Sequence, residues 1–336
     1  MANKLRTGVI GIGHLGRAHV KILSKIESCE LVGCYDVVQE KAEMAALEHG
    51  TKAFSDQQSL IDQCKAISLV VPTTEHYRCG RDILESGRHL FIEKPVTRKS
   101  EEAQKLIELA RANGLKLQVG HIERFNPAIR SLRDKITYPS FIEAHRLSPF
   151  NFRGLDVAVI FDLMIHDIDL CLYLTKSKVI DIQASAVNVV SEKMDIANAR
   201  LTFESGCVAN LTASRISPKG MRKLRIFQPK GYISIDFSDP SAEIYNLLDK
   251  GEEPSATSGF STAIDFGDAG KKISINKPSI EKYDMLTAEL SSFIDAVQKD
   301  RPVEVSGKEA LEALEVAARI EETANRSLGE LQAKLK

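Results

Sequence analysis

The chain has little that would tie it to a membrane, a nucleic acid or an oxidising compartment. Lysine and arginine (45) nearly balance aspartate and glutamate (46) over 336 residues, leaving a formal net charge of −1. That balance provides no basic footprint for nucleic acid or an anionic surface. No apolar run approaches the roughly 20 residues that a membrane-spanning helix needs. The opening "MANKLRTGVIGIG" passes straight into a strand-like run, without the apolar core of a signal peptide. The six cysteines include no C-x-x-C pair and lie mostly in apolar surroundings. This predicts buried free thiols rather than disulfides or zinc, and a cytoplasmic setting. There is no internal repeat and no low-complexity tract.

What is there is a regular alternation followed by a change of rhythm. At 336 residues the chain is long for one core, which predicts two domains. Over the first 120 residues, apolar runs such as "GVIGI", "ELVGCYD", "AISLVVP", "HLFIEKP" and "KLQVGHI" are separated by stretches of helical spacing, with Gly87 and Gly114 as helix stops. Apolar strands joined by helices predict a doubly wound parallel sheet covered on both faces. Counted along the chain, "VVPTTEHY" closes a fourth strand, Lys94 follows a fifth and Gly120 ends a sixth. After residue 125 a helix near Pro127, a strand at "FIEAHRLS" and a further helix precede strand after strand. The turns "ESG" and "PKG" predict hairpins, and Leu201 and Phe203 alternate with Arg200 and Thr202, as in an antiparallel sheet with one apolar face. Residues 250–262 read as a loop, and two amphipathic helices close the chain near 280–299 and 307–326. The expected architecture is α/β: a Rossmann domain over 1–124, then an α+β domain over 125–336 with an open, mainly antiparallel sheet.

Gly11, Gly13 and Gly16 have G-x-G-x-x-G spacing between a strand and a helix, and Asp36 follows Gly16 by 20 positions. In that context the motif predicts a dinucleotide site. Gly11 allows the turn, Gly13 lets a pyrophosphate approach the backbone, and Gly16 permits close helix packing, while the helix amino terminus faces the phosphates. His14 and Leu15 lie inside this loop. A carboxylate at Asp36 would accept from both ribose hydroxyls and repel a 2′-phosphate, and the following "VVQE" has no arginine to neutralise one. The expected cofactor is NAD.

The stretch "FDLMIHDIDL" puts Asp162, His166 and Asp169 at i, i+4 and i+7, on one face of a helix. Three readings stay open on spacing alone: a metal site, an acid–base pair, or a polar cluster in the core. No second cluster clearly completes a metal site, so none is expected, and Asp167 or Asp169 reads as a cap for neighbouring segments.

With "GIGHLG" at the start, "EKP" about 80 residues later and D-x-x-x-H in a following helix, the sequence resembles the Gfo/Idh/MocA oxidoreductases over nearly its whole length. That family includes glucose–fructose oxidoreductase and inositol dehydrogenase. The resemblance implies that Lys94, Asp162 and His166 are catalytic. It also implies that Pro72, Thr73 and His76 line the nicotinamide–ribose region, where Glu93 and Lys94 also lie. Histidine suits a base near neutral pH, and a lysine can stabilise alkoxide character as hydride leaves. A glycine pair often seen before the aspartate is replaced here by "VAVIFD".

A narrower resemblance rests on "VGHIERFNPAI", "DVAVIFDLMIHDIDL" and "ASRISPKGMRKLRIFQ". It points to the branch that oxidises UDP-N-acetylglucosamine at C3, where a partner aminotransferase can convert the 3-keto product to a 3-amino sugar for lipid A. His121, Glu123, Arg124 and Asn126 are then candidate substrate residues at the domain junction, with Arg153 and Arg215 as candidates for the diphosphate. The bland alternative is an ion pair between Glu123 and Arg124. The resemblance also implies a homodimer or homotetramer formed through the sheet. Other functions considered are an NAD-dependent glycoside hydrolase, an inositol- or glucose-type dehydrogenase, and a non-catalytic NAD sensor.

Overall fold

The computed structural model describes residues 4–150, 157–249, 252, 259–265 and 272–334. The chain forms two compact units. One comprises Met1–Phe125 and Asp284–Leu314, the other Asn126–Tyr283 and Glu315–Lys336.

In the first unit β1 (Leu5–Ile10), β2 (Cys29–Tyr35), β3 (Ala66–Leu69), β4 (His89–Glu93) and β5 (Leu117–Gly120) form a parallel sheet in the order β2-β1-β3-β4-β5. The connecting helices are α1 (His14–Leu23), α2 (Gln39–His49), α3 (Gln57–Gln63), α4 (Thr73–Glu85) and α5 (Ser100–Ala112). Strands β3 and β5 are buried at every position, as a sheet covered on both faces requires. The sheet has one strand fewer than the sequence count, so Lys94 follows the fourth strand and Gly120 ends the fifth. Between β2 and β3 only a single parallel bridge forms, from Cys34 to Ala53. The chain then enters α3, where Asp56 caps by accepting from the Ser59 amide at 2.7 Å. Gly87 and Gly114 take positive φ just beyond α4 and α5, the left-handed stops the sequence predicts. Strand β1 has β2 on one side and β3 on the other, so successive connections leave in opposite directions and open a crevice at the carboxyl ends.

The second unit begins with α6 (Pro127–Leu132) and β6 (Phe141–Leu147), followed by a π-helical turn at Ile160–Met164 that runs into α7 (Ile165–Thr175). Eight further strands complete its sheet: β7 (Val179–Val187), β8 (Ile196–Phe203), β9 (Val208–Ser214), β10 (Met221–Gln228), β11 (Gly231–Asp236), β12 (Ser241–Leu248), β13 (Gly259–Asp265) and β14 (Lys272–Pro278). Their order is β13-β14-β12-β11-β10-β6-β9-β8-β7, antiparallel throughout except between β6 and β9. Leu201 and Phe203 are buried while Arg200 is exposed, so the expected alternation holds. Residues 259–262 of the expected loop over 250–262 are strand. Gly259–Asp265 pairs with β14, because Phe260, Thr262 and Ile264 give it strand character. Apart from Glu252, residues 250–258 lie outside the described residues.

The last two helices are α8 (Met285–Gln298) and α9 (Gly307–Lys334). A division into two successive segments at 124/125 does not describe the chain, which returns to the first unit at Asp284. The physical reason lies in α8. Its Leu286, Leu290, Phe293 and Ile294 join Val9, Val20 and Phe91 in one buried cluster, with Phe293 edge-on to Phe91 at 5.8 Å. Each such side chain contributes about 1.5–3 kcal/mol on full burial. No described helix is long and apolar enough to cross a membrane, and all six cysteines are buried free thiols.

One polar knot holds the segment that leads into the π-helical turn. Wholly buried Asp195 accepts from the amides of Val189 (2.8 Å), Val190 (2.8 Å) and Ser191 (3.0 Å) and from the Ser191 hydroxyl (2.7 Å). Its neighbour Met194 accepts from the Val159 amide at 3.0 Å. Burial pushes the Asp195 carboxyl up, but the Ser191 hydroxyl and the three amides outweigh it and hold the pKa at about 2. The stabilisation is therefore fully present above the unfolded value of roughly 3.9 and is lost as the pH falls through about 2. Asp195→Ala is expected to cost about 2 kcal/mol, the scale of hydrogen bonds to a charged group. Thermal melts should show a lower Tm and a flatter dependence on pH between about 4 and 2; an acid limb identical to that of the parent would contradict this account.

Candidate active site

At the crevice beyond β1 and β3 lies a cavity of about 660 Å³. Gly11 has φ +93°, and a Cβ there would lie 2.6 Å from the Val70 carbonyl oxygen. A Cβ on Gly16 would lie 1.9 Å from the Gly11 carbonyl oxygen, so only glycine lets α1 pack this closely. Gly13 differs: a Cβ there would meet nothing within 4 Å. The fold does not require glycine at Gly13, and the bare backbone faces the cavity it lines. Asp36 is 9% exposed, and its two carboxylate oxygens accept from the amides of Ile12 (2.6 Å) and Val38 (2.9 Å). The carboxylate thus ties the glycine loop to the end of β2 while still lining the cavity. A pyrophosphate at the amino end of α1 and a ribose beside Asp36 fit this cradle, as NAD would require.

Of the residues predicted to bind the cofactor, Gly11, Gly13, His14, Leu15, Asp36, Pro72, Thr73, His76, Glu93 and Lys94 line this cavity, and Gly16 packs behind it. The sequence reading missed Lys41, Gln57 and Arg78, which also line it. They come from the starts of α2 and α3 and the middle of α4, and no motif marks them because the sheet order alone brings them to one edge. Arg78 is paired with Glu75 at 2.9 Å.

His76 is 1% exposed, and its ring nitrogens lie 2.9 Å from the Val71 and Pro95 carbonyl oxygens. Burial pulls its pKa below the ordinary value, opposed by those carbonyls and by the Glu93 charge. His76 therefore lines the cavity with each ring nitrogen against a main-chain carbonyl, to one of which a neutral ring donates. Glu93 accepts from the Lys94 amide at 3.2 Å and lies 3.3 Å from buried His19. Lys94 itself is half-buried.

In the second unit the stretch from Phe161 to Leu170 does not present one regular face. The wide turn over Ile160–Met164 interrupts the 3.6-residue period. Asp162 and His166 are half-buried, whereas Asp169 is 1% exposed. The three residues on one helical face expected from spacing thus separate into a partly accessible pair and a buried aspartate. Asp167 accepts from Arg146 of β6 through two bonds of 2.9 and 2.8 Å, both side chains 3% exposed. This bidentate pair fixes α7 beside His166. Among the described residues no group of three or more His, Cys, Asp or Glu side chains is arranged to hold a metal ion.

The remaining candidates are buried and engaged. His121, Glu123, Arg124 and Asn126 are 1%, 3%, 3% and 0% exposed. Arg124 pairs with Glu309 at 2.5 Å. Burial pushes Glu309 up, but Arg124 and the Ser306 hydroxyl outweigh it and leave its pKa lowered. Asn126 caps α6 by accepting from the Ala128 amide at 3.0 Å. Arg215 is 4% exposed and donates to the carbonyls of Val157 (2.5 Å) and Met194 (3.4 Å), beside Asp195 at 3.9 Å. That environment makes Arg215 part of the polar knot rather than an accessible diphosphate ligand. Arg153 lies outside the described residues.

Because Gly13 is bare for reasons outside the fold, Gly13→Ala is expected to leave Tm unchanged while weakening NAD binding at least about tenfold, or about 1.4 kcal/mol. Fluorescence titration beside a thermal melt checks this. Equal NAD affinity in the variant would remove the glycine loop from the cofactor site.

Comparison with known proteins agrees with this geometry. The model of the oxidoreductase family with an NAD-binding Rossmann fold matches residues 5–121, and that of the GFO/IDH/MocA C-terminal domain matches residues 136–234. The UDP-N-acetylglucosamine 3-dehydrogenase of Acidithiobacillus ferrooxidans is 38% identical over 317 residues, covering 94% of this chain and 96% of that protein. A solved structure of the same enzyme superposes with a TM-score of 0.87 at 37% identity, covering 95% of this chain and 97% of that one. The fold is also that of scyllo-inositol dehydrogenase from Lactobacillus casei, solved with NAD(H) and scyllo-inositol (TM-score 0.76, 19% identity, 97% and 98% of the two chains). The chain belongs to the Gfo/Idh/MocA family of oxidoreductases and is an NAD-dependent enzyme acting on CH–OH groups.

Proposed function

We propose that this enzyme oxidises the C3 hydroxyl of UDP-N-acetylglucosamine to the 3-keto sugar nucleotide. The observation that carries the reading is the match over nearly the full length of both chains to a dehydrogenase of that substrate. Bound NAD supplies the hydride acceptor. His166 takes the hydroxyl proton as general base, and Asp162, one turn earlier, stabilises the imidazolium that results. The Lys94 ammonium donates to the substrate oxygen as it gains alkoxide character. Arg146 and Asp167 support His166 by holding α7 in register.

The product is a ketone, and alcohol oxidation by NAD is typically uphill. A reaction that consumes the 3-keto sugar, such as transfer of an amino group by an aminotransferase, would draw it forward. The expected result is NADH formation from UDP-N-acetylglucosamine in a panel with myo-inositol and glucose, increasing when a coupled aminotransferase is present. No NADH under coupling, or faster turnover of inositol, would reassign the substrate. Lys94→Ala and His166→Asn are each expected to lower kcat by about 10²–10⁴-fold; a Lys94→Ala enzyme of full activity removes Lys94 from the chemistry.

We also propose that two copies associate through the open face of the second unit's sheet. There Phe141, Phe227, Tyr232 and Tyr245 form a continuous half-buried stack across β6, β10, β11 and β12, with centroid spacings of 5.6, 5.2 and 4.1 Å. Tyr232→Arg is expected to shift light-scattering mass from a homodimer or homotetramer towards the monomer, and an unchanged mass would exclude this face. Six buried free thiols suit a reducing cytoplasm.

A further inference from the structure

Two histidines that the mechanism does not use are buried on either side of Lys94, and both span the same two strands. His19, on α1, is 0% exposed; its Nδ1 lies 2.8 Å from the Ser68 hydroxyl in β3, and its Nε2 lies 3.3 Å from the Glu93 carboxylate at the end of β4. Its ring stands edge-on to Phe91 at 5.6 Å. His76, on α4, repeats the arrangement one step further along. One ring nitrogen lies 2.9 Å from the carbonyl of Val71, just past β3, and the other 2.9 Å from the carbonyl of Pro95, just past β4. Glu93 and Pro95 are the residues immediately before and after Lys94. The Glu93 carboxylate also accepts from the Lys94 amide at 3.2 Å, and it lies against bare backbone, since a Cβ on Gly120 would come within 2.8 Å of both its oxygens.

We propose that His19 and His76 are a paired clamp that positions Lys94, each bridging β3 to β4 on one side of the lysine. This rests on the reading of Lys94 as the residue that acts on the substrate oxygen. Imidazole suits the task because a rigid ring spans the gap between two strand ends, its one N–H in the neutral form donating to a single partner while the opposite nitrogen lies against the second, and its burial removes water that would compete. A displacement of about 1 Å in a reacting group can cost on the order of 10²-fold in rate, so holding both flanks of one residue is worthwhile. Burial leaves neither ring available as a proton carrier to substrate. Their shared effect should therefore fall on turnover.

The test uses the full chain with NAD and UDP-N-acetylglucosamine. His76→Gln and His19→Gln are expected to lower kcat by about 10- to 100-fold, and His19→Gln, which does not line the cofactor cavity, should change NAD affinity in fluorescence titration less than about threefold. Neither should lower the residual single-turnover rate further in a Lys94→Ala background, because the clamp acts through that side chain. Without cofactor or substrate, hydrogen exchange in a peptide covering residues 92–99 should be faster in each variant than in the parent. Gly120→Ala gives a second route that leaves both histidines in place, since its methyl group displaces the Glu93 carboxylate. It should lower kcat and speed the same exchange, and it keeps the proposal testable if a histidine variant does not fold. Unchanged kcat and exchange, or an equal additional loss in the Lys94→Ala background, overturns the clamp. Full activity of Lys94→Ala alone overturns the assignment of Lys94 instead, while faster exchange in the histidine variants would still show the bridging.

Discussion

Between α1 and the first turn of the chain there is no room for a side chain: a Cβ at Gly16 would lie 1.9 Å from the Gly11 carbonyl oxygen. From that close approach the geometry of the first unit follows. It brings the amino end of α1 to the crevice where β1 lies between β2 and β3. It leaves the Ile12 amide pointing at Asp36, which accepts from it at 2.6 Å and so couples the glycine loop to β2. A larger side chain at Gly16 would displace a helix, two strand ends and the carboxylate together, because close-packed elements transmit such a shift rather than absorb it.

The two units stabilise their functional segments by different means. In the first, neutral main-chain acceptors and buried imidazoles join strand ends, as at His76 with Val71 and Pro95. In the second, two buried carboxylates are saturated with donors. Asp167 receives two bonds from Arg146, and Asp195 receives three amides and a hydroxyl. An unpaired charge at either site would be costly, whereas the satisfied pair fixes one geometry for the wide turn ahead of His166. The segment "VAVIFD" has no glycines to enter that turn freely. Its placement depends instead on the carbonyl of Val157 held by Arg215 and the amide of Val159 held by Met194.

Much of this was legible in the residue order. The glycine loop, Asp36 and the "EKP" segment are short-range motifs, so their geometry depends mainly on neighbours within a few positions. The alternation of Leu201 and Phe203 with Arg200 and Thr202 likewise identified one buried face of β8. The misses have physical causes. Spacing assigned Asp169 to the face of Asp162 and His166, but a π-helical turn does not follow the 3.6-residue period. Arg215 read as a candidate for the diphosphate because a sequence does not show that two carbonyls and an aspartate wait for it 20 or more residues away.

The order of residues by itself determined that the chain is a Rossmann unit followed by a sheet-rich unit, that it binds NAD, and that it is an oxidoreductase of this family. Those properties reside in local turns and periodicities, which neighbouring residues impose on one another. Tertiary structure decided which polar residues face the cavity and which serve the framework. Arg124 meets Glu309 from 185 positions away, α8 returns to fill the first core, and His19 and His76 reach the two flanks of Lys94 from separate helices. Such partnerships are set by packing and by the need to satisfy every buried polar group, and both act across space rather than along the chain.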